Sequence, residues 1–267
     1  MLLKPGLKLK FSIRRLLVRS FFFSRLLFFG FKFNFENQVS SEDLLDIVKT
    51  QGKSLIRWGD GESNFYHYGT TASQKEDHRF VPEIREILEN YSASSTYVLC
   101  IPSEIELKMK KSHYFRSPWR DTAALLSIKF NNKICFGNSF IFRDSKHEFK
   151  KSSDLEKRRG IAMSLTYLSE SKNRLFLISS KSEHREAFDF NLRSKVEQIL
   201  IPRVDALSEL ENVVEMFNSD FSGLSKDDIV FVSGGIFGKI LVLRLSKIGI
   251  CAVDLGGALK IFEKSRS

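Results

Sequence analysis

Two carboxylates stand two residues apart at the end of an apolar run. They belong to the segment Arg57-Trp58-Gly59-Asp60-Gly61-Glu62, which begins where the strand-like stretch 54–58 ends. Carboxylates this close in a Gly-flanked turn can converge on one cation, and hard oxygen ligands select Mg²⁺ or Mn²⁺. Such a cation neutralises charge on a departing diphosphate, while Arg57 adds a forked contact to phosphate. The competing interpretation is a plain turn, because Asp-Gly is a common turn pair.

A glycine-rich turn follows a late apolar stretch. Ser233, Gly234 and Gly235 lie between a predicted strand and a predicted helix. Their backbone N–H groups would stand at a helix start, which is a ready anion site. A tight strand-to-helix turn without any ligand is the competing interpretation, and many such units bind nothing.

A third polar segment comes after the stretch 133–136. Asn138 and Ser139 can reach a base or a ribose there, and Arg143 can reach a phosphate. Capping residues in an ordinary loop explain the same pattern, and on the residues alone this explanation is the stronger one.

Several other classes of site are excluded or unsupported. No pair of the five histidines has the H-E-x-x-H spacing of a zinc protease, and no G-x-S-x-G elbow supports a serine hydrolase. A Walker-type G-K-[ST] is absent, since Gly238-Lys239 is followed by Ile240. The three cysteines lie far apart in apolar runs, which predicts reduced, buried thiols in a cytosolic protein.

Strand-like and helix-like stretches alternate through the body of the chain. This alternation predicts an α/β fold with a mostly parallel sheet and helices on both faces, in which ligands collect at the carboxyl ends of the strands. The predicted strands are 54–58, 96–101, 133–136, 174–179, 198–202, 228–233 and 250–256. The predicted helices are 41–52, 82–88, 106–115, one opening at 117–121, 153–170, 183–196, 206–218 and 237–248.

The net charge of +10 is unevenly distributed. Residues 1–35 hold eight of the 42 lysines and arginines and no acid, which leaves 34 basic and 32 acidic side chains in the rest of the chain. We therefore divide the chain into a basic aromatic tail, 1–35, and one domain, 36–267. The near-neutral body argues against nucleic-acid binding by the domain.

The tail combines lysine and arginine with leucine and phenylalanine. No stretch of it reaches the ~18 uncharged apolar residues of a spanning helix, and no A-x-A site follows it. We predict an amphipathic helix on an anionic membrane surface, which would make a cytoplasmic protein peripheral at the inner face. A helix packed on the body, a docking tail for a partner protein, a mitochondrial presequence and a nucleic-acid-binding tail are the alternatives.

The ordered series of motifs resembles the glycosyltransferases with the GT-D fold. The stretch SLIRWGDGE resembles the signature strand and turn of that family, R-(aromatic)-G-D-G-E, and NSFIFR resembles its N-S-F-x-x-R. Three further stretches match in the same order: SQKEDHRFVPEIREIL, QILIPRVDAL and IVFVSGGIFGKILVLRLSKIGICAVDLGG. The resemblance covers about residues 40–260, and an ordered series is more specific than any single motif.

The resemblance implies a single Rossmann-like domain with a D-x-E metal site for Mn²⁺ or Mg²⁺ and a nucleotide-sugar donor, typically a UDP-hexose. Asp60 and Glu62 become the metal and diphosphate site, and Gln74 and Asp77 lie near the pocket. The candidate donor contacts are Arg57, Gly59, Gly61, Asn138, Ser139, Arg143, Ser233, Gly234 and Gly235.

Two departures from the family pattern concern the late segment. The family's turn is usually G-P-T-A-like, where this chain has Ser233-Gly234-Gly235-Ile236. Its D-x-G is often followed by histidine and acidic residues, where this chain has Gly257-Ala258-Leu259-Lys260. We expect either a different acceptor or a reduced activity from these changes.

The combined hypothesis is transfer of a hexose from a nucleoside diphosphate sugar to a glycan or lipid-linked glycan. Asp60 and Glu62 carry the catalysis together with Asp254, and if configuration inverts the base is Asp77, Glu104 or Asp254. The alternative is a catalytically inactive relative that binds a glycan or a partner at the membrane.

Overall fold

In the part of the chain that the structure describes, seven strands form one sheet and every pairing is parallel. The computed structural model describes residues 38–71, 73–101, 134–138, 154–170, 172–185, 196–221 and 223–260. The strand order is β3-β2-β1-β7-β6-β4-β5. The strands are β1 Ser54–Arg57, β2 Tyr97–Ile101, β3 Gly137–Asn138, β4 Leu175–Ser179, β5 Val196–Leu200, β6 Ile229–Ser233 and β7 Cys251–Asp254.

Helices cover both faces of this sheet. Within the described residues they are α1 Ser41–Gln51, α2 Asp60–Tyr68, α3 Val81–Glu89, α4 Asp154–Ser169, α5 Leu210–Ser219 and α6 Ile236–Lys247, with short 3-10 helices at His78–Phe80 and Ala206–Glu209. Side chains alternate along the strands between two apolar layers, so that Leu55 and Ile56 lie in different layers. Helices α2, α3, α5 and α6 pack on the first face, and α1 and α4 pack on the second. The predicted α/β class with helices on both faces is confirmed.

For the crossovers whose helices are described, the direction of movement along the sheet is linked to the face that the helix covers. The chain passes from β1 to β2, from β5 to β6 and from β6 to β7 toward the β3 edge, and each time it uses the first face. Helix α4 precedes β4 after a move in the opposite direction, and it lies on the second face. A single crossover hand requires this arrangement.

The chain changes face after β7, which is where the topology predicts a crevice at the carboxyl edge of the sheet. The chain leaves β1 and β6 onto the first face, whereas Leu255, Ala258 and Leu259 after β7 pack on the second. Strand β7 lies between β1 and β6. Ligands of open α/β sheets bind where neighbouring strands send their connections in opposite directions, so the end of β7 is the expected location of a site.

Two strands, β3 and β5, lie at other positions than the sequence predicted. Strand β3 is Gly137–Asn138 rather than 133–136, because Gln38 adds backbone pairing at Phe136 and β2 pairs with the next two residues. Strand β5 begins at Val196, where a helix was predicted, since backbone pairing with Leu175 outweighs the local helical pattern. The sequence alone does not show these neighbours.

Two of the three thiols match the expectation of burial. Cys100 in β2 and Cys251 in β7 are buried, whereas Cys135 is exposed beside the short strand β3. The prediction was wrong for Cys135, because its apolar run lies at the edge of the described sheet.

No helix in the described part of the chain has the length and apolar content needed to cross a bilayer. The predicted tail 1–35, the helices at 106–115 and 117–121, Ser139, Arg143 and Glu104 lie outside the described residues.

Candidate functional site

Strand β1 carries the acidic motif to the carboxyl edge of the sheet. All four residues of the strand are buried. Gly59 is extended and serves as the N-cap of α2, whose first residue is Asp60. The Ser63 backbone donates to the Gly59 carbonyl over 3.1 Å, and the Ser63 hydroxyl also donates to it and accepts from the Trp58 indole N–H. The motif is therefore the first turn of a helix, where the sequence predicted a turn between elements.

A buried ammonium joins the motif to the end of β7. Lys239 of α6 lies 3.0 Å from Glu62 Oε1 and 3.1 Å from Asp254 Oδ2, measured from its Nζ. Burial disfavours the charged ammonium, but the carboxylates of Asp254 and Glu62 outweigh it and hold the pKa of Lys239 above its ordinary value. Lys239 is therefore a cation within the site. An unpaired charge in such a place would be strongly destabilising, so the ion pairs are required for the fold.

Asp254 has no exposed surface and uses both carboxylate oxygens. Its Oδ1 accepts from the Gly256 N–H at 2.9 Å, and its Oδ2 accepts from the Arg57 N–H at 3.2 Å in addition to Lys239. The side chain thus extends the contact between β1 and β7 beyond their backbone pairing. Its predicted catalytic role stays a prediction, while its contacts are those of a residue that positions its neighbours.

The turn after Asp254 holds Arg57 in place. The Arg57 guanidinium donates to the Leu255 carbonyl and packs where a side chain at Gly256 would stand. Gly256 adopts a φ of +54°, a conformation that favours glycine. The Ser233 hydroxyl donates to the Gly256 carbonyl at 2.8 Å, which ties the end of β6 to the same turn. Arg57 is buried, and its predicted phosphate contact stays a prediction.

The oxygen chemistry of the motif fits a hard divalent cation. The second oxygen of Glu62, Oε2, makes no hydrogen bond to a described residue, and it lies 3.3 Å from the position that a side chain at Gly59 would take. A side chain at Gly61 would meet nothing within 4 Å. Asp60 is described by its backbone alone, and the rest of the described chain holds no group of three or more metal-ligating side chains. The metal site therefore stays a prediction, which the Glu62 oxygen without a described hydrogen bond supports.

The glycine-rich turn lies at the N-terminus of α6, as the sequence predicted. Gly235 is the N-cap with a φ of +57° and is exposed. Gly234 is required by packing, since a side chain there would come within 2.9 Å of Ile201 and Phe237. A tight turn explains Gly234, and the anion site at the backbone N–H groups of Ser233, Gly234 and Gly235 stays a prediction.

Gln74 and Asp77 are used within the protein. The Gln74 side-chain amide donates to Asp205, and its carbonyl oxygen accepts from the Leu207 N–H at 3.3 Å, so the loop after α2 is tied to the loop after β5. Asp77 caps the 3-10 helix that follows it. The side-chain hydrogen bond from Arg79 holds the pKa of Asp77 below its usual range, which disfavours the role of a base.

The described site residues fall into two groups. Arg57, Glu62 and Asp254 meet around Lys239, with the backbone of Asp60 beside them. Asn138 lies in β3, two strands away from β1. Lys239 was missed by the sequence prediction, although its position as a lone charge within the apolar run 236–243 was a usable signal.

Comparisons with known proteins agree on the family. The profile described as "Glycosyltransferase GT-D fold" matches residues 55–265. A protein of Streptococcus pneumoniae serotype 4 named glycosyltransferase GlyD is 22% identical over 226 residues, which are 80% of this chain and 26% of that protein. This chain therefore spans about a quarter of the length of that relative.

Solved structures show the same fold at low sequence identity. A structure described as a new glycosyltransferase from Streptococcus sanguinis is 21% identical, with a TM-score of 0.61 over 85% of this chain and 83% of that chain. A second, described as a highly conserved domain with a distinct glycosyltransferase fold, is 18% identical, with a TM-score of 0.59 over 85% of this chain and 80% of that chain. Because the family profile spans most of the chain and the fold agrees, the protein belongs to the glycosyltransferases with the GT-D fold.

Proposed function

We propose that the protein transfers a hexose from a nucleoside diphosphate sugar, with UDP as the nucleotide, to a glycan or lipid-linked glycan. The observation that carries the proposal is the acidic motif in the first turn of α2, at the carboxyl end of β1, where Lys239 pairs with Glu62 Oε1 and leaves Oε2 without a hydrogen bond to a described residue. Asp60 and Glu62 would hold Mn²⁺ or Mg²⁺, which supplies positive charge against the leaving diphosphate.

The surrounding residues orient the donor and limit water. Lys239, which also pairs with Asp254, holds the Glu62 carboxylate through Oε1 and leaves Oε2 for the cation. The N-terminus of α6 offers backbone N–H groups to a phosphate at Gly235, where the helix dipole favours negative charge. Trp58 is fully buried behind the motif and closes the site on its apolar side.

The residue that accepts the acceptor's proton is constrained by the contacts of the candidates. Asp77 is held by Arg79, and Asp254 is buried with both oxygens in use. A base needs an oxygen within hydrogen-bond reach of the acceptor hydroxyl. We therefore assign positioning roles to Asp77 and Asp254, and Glu104 is the remaining candidate of the three.

The direct test is a panel of UDP-glucose, UDP-galactose and their N-acetyl forms, assayed for metal-dependent release of UDP. The variant Glu62→Gln keeps the shape of the side chain and removes its charge, so we expect kcat/KM to fall by about 100-fold or more. The matched control is Glu86→Gln, whose carboxylate pairs with Lys247 on the surface of α3 and α6. Normal turnover by Glu62→Gln would disprove the proposed site.

An inactive relative that binds a glycan or a partner is the second candidate. It is favoured by the segment after β7, where Ala258 and Leu259 are buried in the apolar layer instead of offering polar groups to an acceptor. Calorimetry with each donor and Mn²⁺ separates the two candidates. Absence of binding to every donor favours the inactive relative, whereas binding with turnover excludes it.

A further inference from the structure

Glu62 already has a cation beside it, supplied by the protein itself. The Lys239 ammonium lies 3.0 Å from Glu62 Oε1, and its side chain is 5% exposed. Helix α6 is apolar and buried over most of its length, and the ammonium pairs with the two carboxylates of Glu62 and Asp254. The positive charge is therefore a permanent feature of the site.

The described charges of the cluster cancel. Arg57 and Lys239 contribute two positive charges, and Glu62 and Asp254 contribute two negative ones. All four side chains are buried, so solvent screens them weakly. A divalent cation that binds to Glu62 therefore meets a carboxylate whose charge is already offset by an ammonium. Asp60 adds one negative charge, which alone is a weak attraction for a doubly charged ion.

We infer that Lys239 couples the binding of the metal to the binding of the donor: its ammonium keeps the divalent cation weakly bound until a diphosphate supplies the missing negative charge. This inference rests on the proposed function, because it takes Asp60 and Glu62 as the cation ligands. Lys239 acts through Glu62 and is a positioning residue. If Glu62, Lys239 and Asp254 had only a structural role, the opposite result is expected. Replacing Lys239 would then change stability and leave the coupling between metal binding and donor binding unchanged.

The test measures Mn²⁺ binding by electron paramagnetic resonance with and without UDP. For the wild-type protein we expect saturating UDP to tighten Mn²⁺ binding by about 100-fold, and Mn²⁺ to tighten UDP binding by the same factor. In Lys239→Met, which keeps the length of the side chain and removes the charge, we expect the coupling to fall at least about tenfold through tighter binding of Mn²⁺ alone.

Lys247→Met is the matched control. This lysine lies on the same helix and pairs with Glu86 on α3, but its side chain is 48% exposed. Its coupling should equal that of the wild-type protein. If Lys239→Met fails to fold, Lys239→Gln removes the charge, keeps a hydrogen-bond donor for both carboxylates and gives the same measurement, with the same expected fall in coupling.

The outcomes separate this inference from the proposed function. Wild-type protein that binds Mn²⁺ equally well with and without UDP overturns the inference. So does Lys239→Met with wild-type coupling, even if its stability is reduced. Absence of any Mn²⁺ binding, with UDP present, overturns the proposed metal-dependent function as well.

Discussion

Asp254 and Lys239 lie on consecutive elements, β7 and α6, and meet at the edge of the sheet. The buried charges of Lys239 and Asp254 neutralise each other, and Glu62 of α2 also pairs with Lys239. Neither residue is open to a substrate, yet both determine which oxygen of Glu62 faces the crevice. At the residue scale the site therefore consists of one acidic motif and of buried charges that position it.

Replacement of Asp254 distinguishes a positioning role from a catalytic one. Asp254→Asn leaves the Lys239 ammonium with one partner, and we expect the free energy of unfolding to fall by about 3–5 kcal/mol. Urea denaturation measures this loss. Asp227→Asn, at an exposed turn, is the control and should stay within about 0.5 kcal/mol of the wild type. A variant of Asp254 with normal stability and no turnover would instead identify a base.

His67 in α2 gives stability a dependence on pH. Burial, together with the nearby Arg85, lowers the pKa of His67 to about 4. An unfolded histidine has a pKa of about 6.5, so between these values the unfolded state binds more protons. The stability that neutral His67 contributes is complete above pH ~6.5 and is lost as the pH falls toward ~4.

We expect this loss to amount to about 2–3 kcal/mol when allowance is made for partial exposure. The measurement is the free energy of unfolding at pH 7 and at pH 4.5 for the wild type and for His67→Phe, which retains a ring and cannot titrate. His78→Gln is the control, because that ring is exposed and pairs with Glu76. An unchanged pH dependence in His67→Phe would contradict the assignment.

Helix α2 and the turn after β7 are the elements that shape the crevice. The first helical bond of α2 runs from Ser63 to Gly59, and the hydroxyl of Ser63 bridges to the Trp58 indole. The turn after β7 carries Gly256 against the guanidinium of Arg57. Acidic residues in the first turn of a helix are stabilised by its dipole, which helps α2 begin at Asp60 despite Gly61.

Two glycines with positive φ allow the turn after β7 to be tested by comparison. Gly256→Ala would place a methyl group on the Arg57 guanidinium, whereas Gly249→Ala, with a φ of +83°, would meet no atom within 4 Å. Both variants suffer the backbone strain, and we expect Gly256→Ala to lose about 1–3 kcal/mol more because of the overlap. Denaturation of the two proteins side by side measures the difference. Equal losses of stability in the two variants would show that Arg57 moves away from the new methyl group without an energetic cost.

The whole molecule determines where the site opens. A single crossover hand sends the chain after β1 and β6 onto one face and leaves the other face for the segment after β7. The crevice at β7 follows from this topology, and it brings segments from widely separated parts of the sequence to one edge. The basic tail, residues 1–35, is the other feature of the whole chain, because it carries most of the net positive charge.

Removal of the tail tests its predicted attachment to a membrane. Each basic residue near an anionic surface contributes about 1 kcal/mol, so deletion of 1–35 should abolish sedimentation with phosphatidylserine vesicles while activity in solution is kept. Replacing the eight basic residues of the tail by glutamine, at unchanged length, separates charge from apolar insertion. A truncated protein that still sediments with the vesicles would refute the prediction.

Local patterns in the sequence determined most of the fold. Runs such as 229–232 and 251–253 are apolar throughout, as strands buried on both faces must be, and their alternation with helices predicts the parallel sheet. The boundaries of β3 and β5 were missed because partner strands, rather than local propensity, decide where such short strands begin. The start of α2 at Asp60 was missed because Gly61 lowers helix propensity, and the bond between Trp58 and Ser63 has no sequence pattern.

For the site, the sequence by itself determined that two carboxylates follow a buried strand and that a glycine-rich turn precedes a late helix. Only the tertiary structure decided that Lys239 stands between Glu62 and Asp254, and that Arg57 lies under the turn at Gly256. The physical reason is that these contacts join residues on different elements. The order of the strands and the hand of the crossovers set such distances, and neither is written in local periodicity.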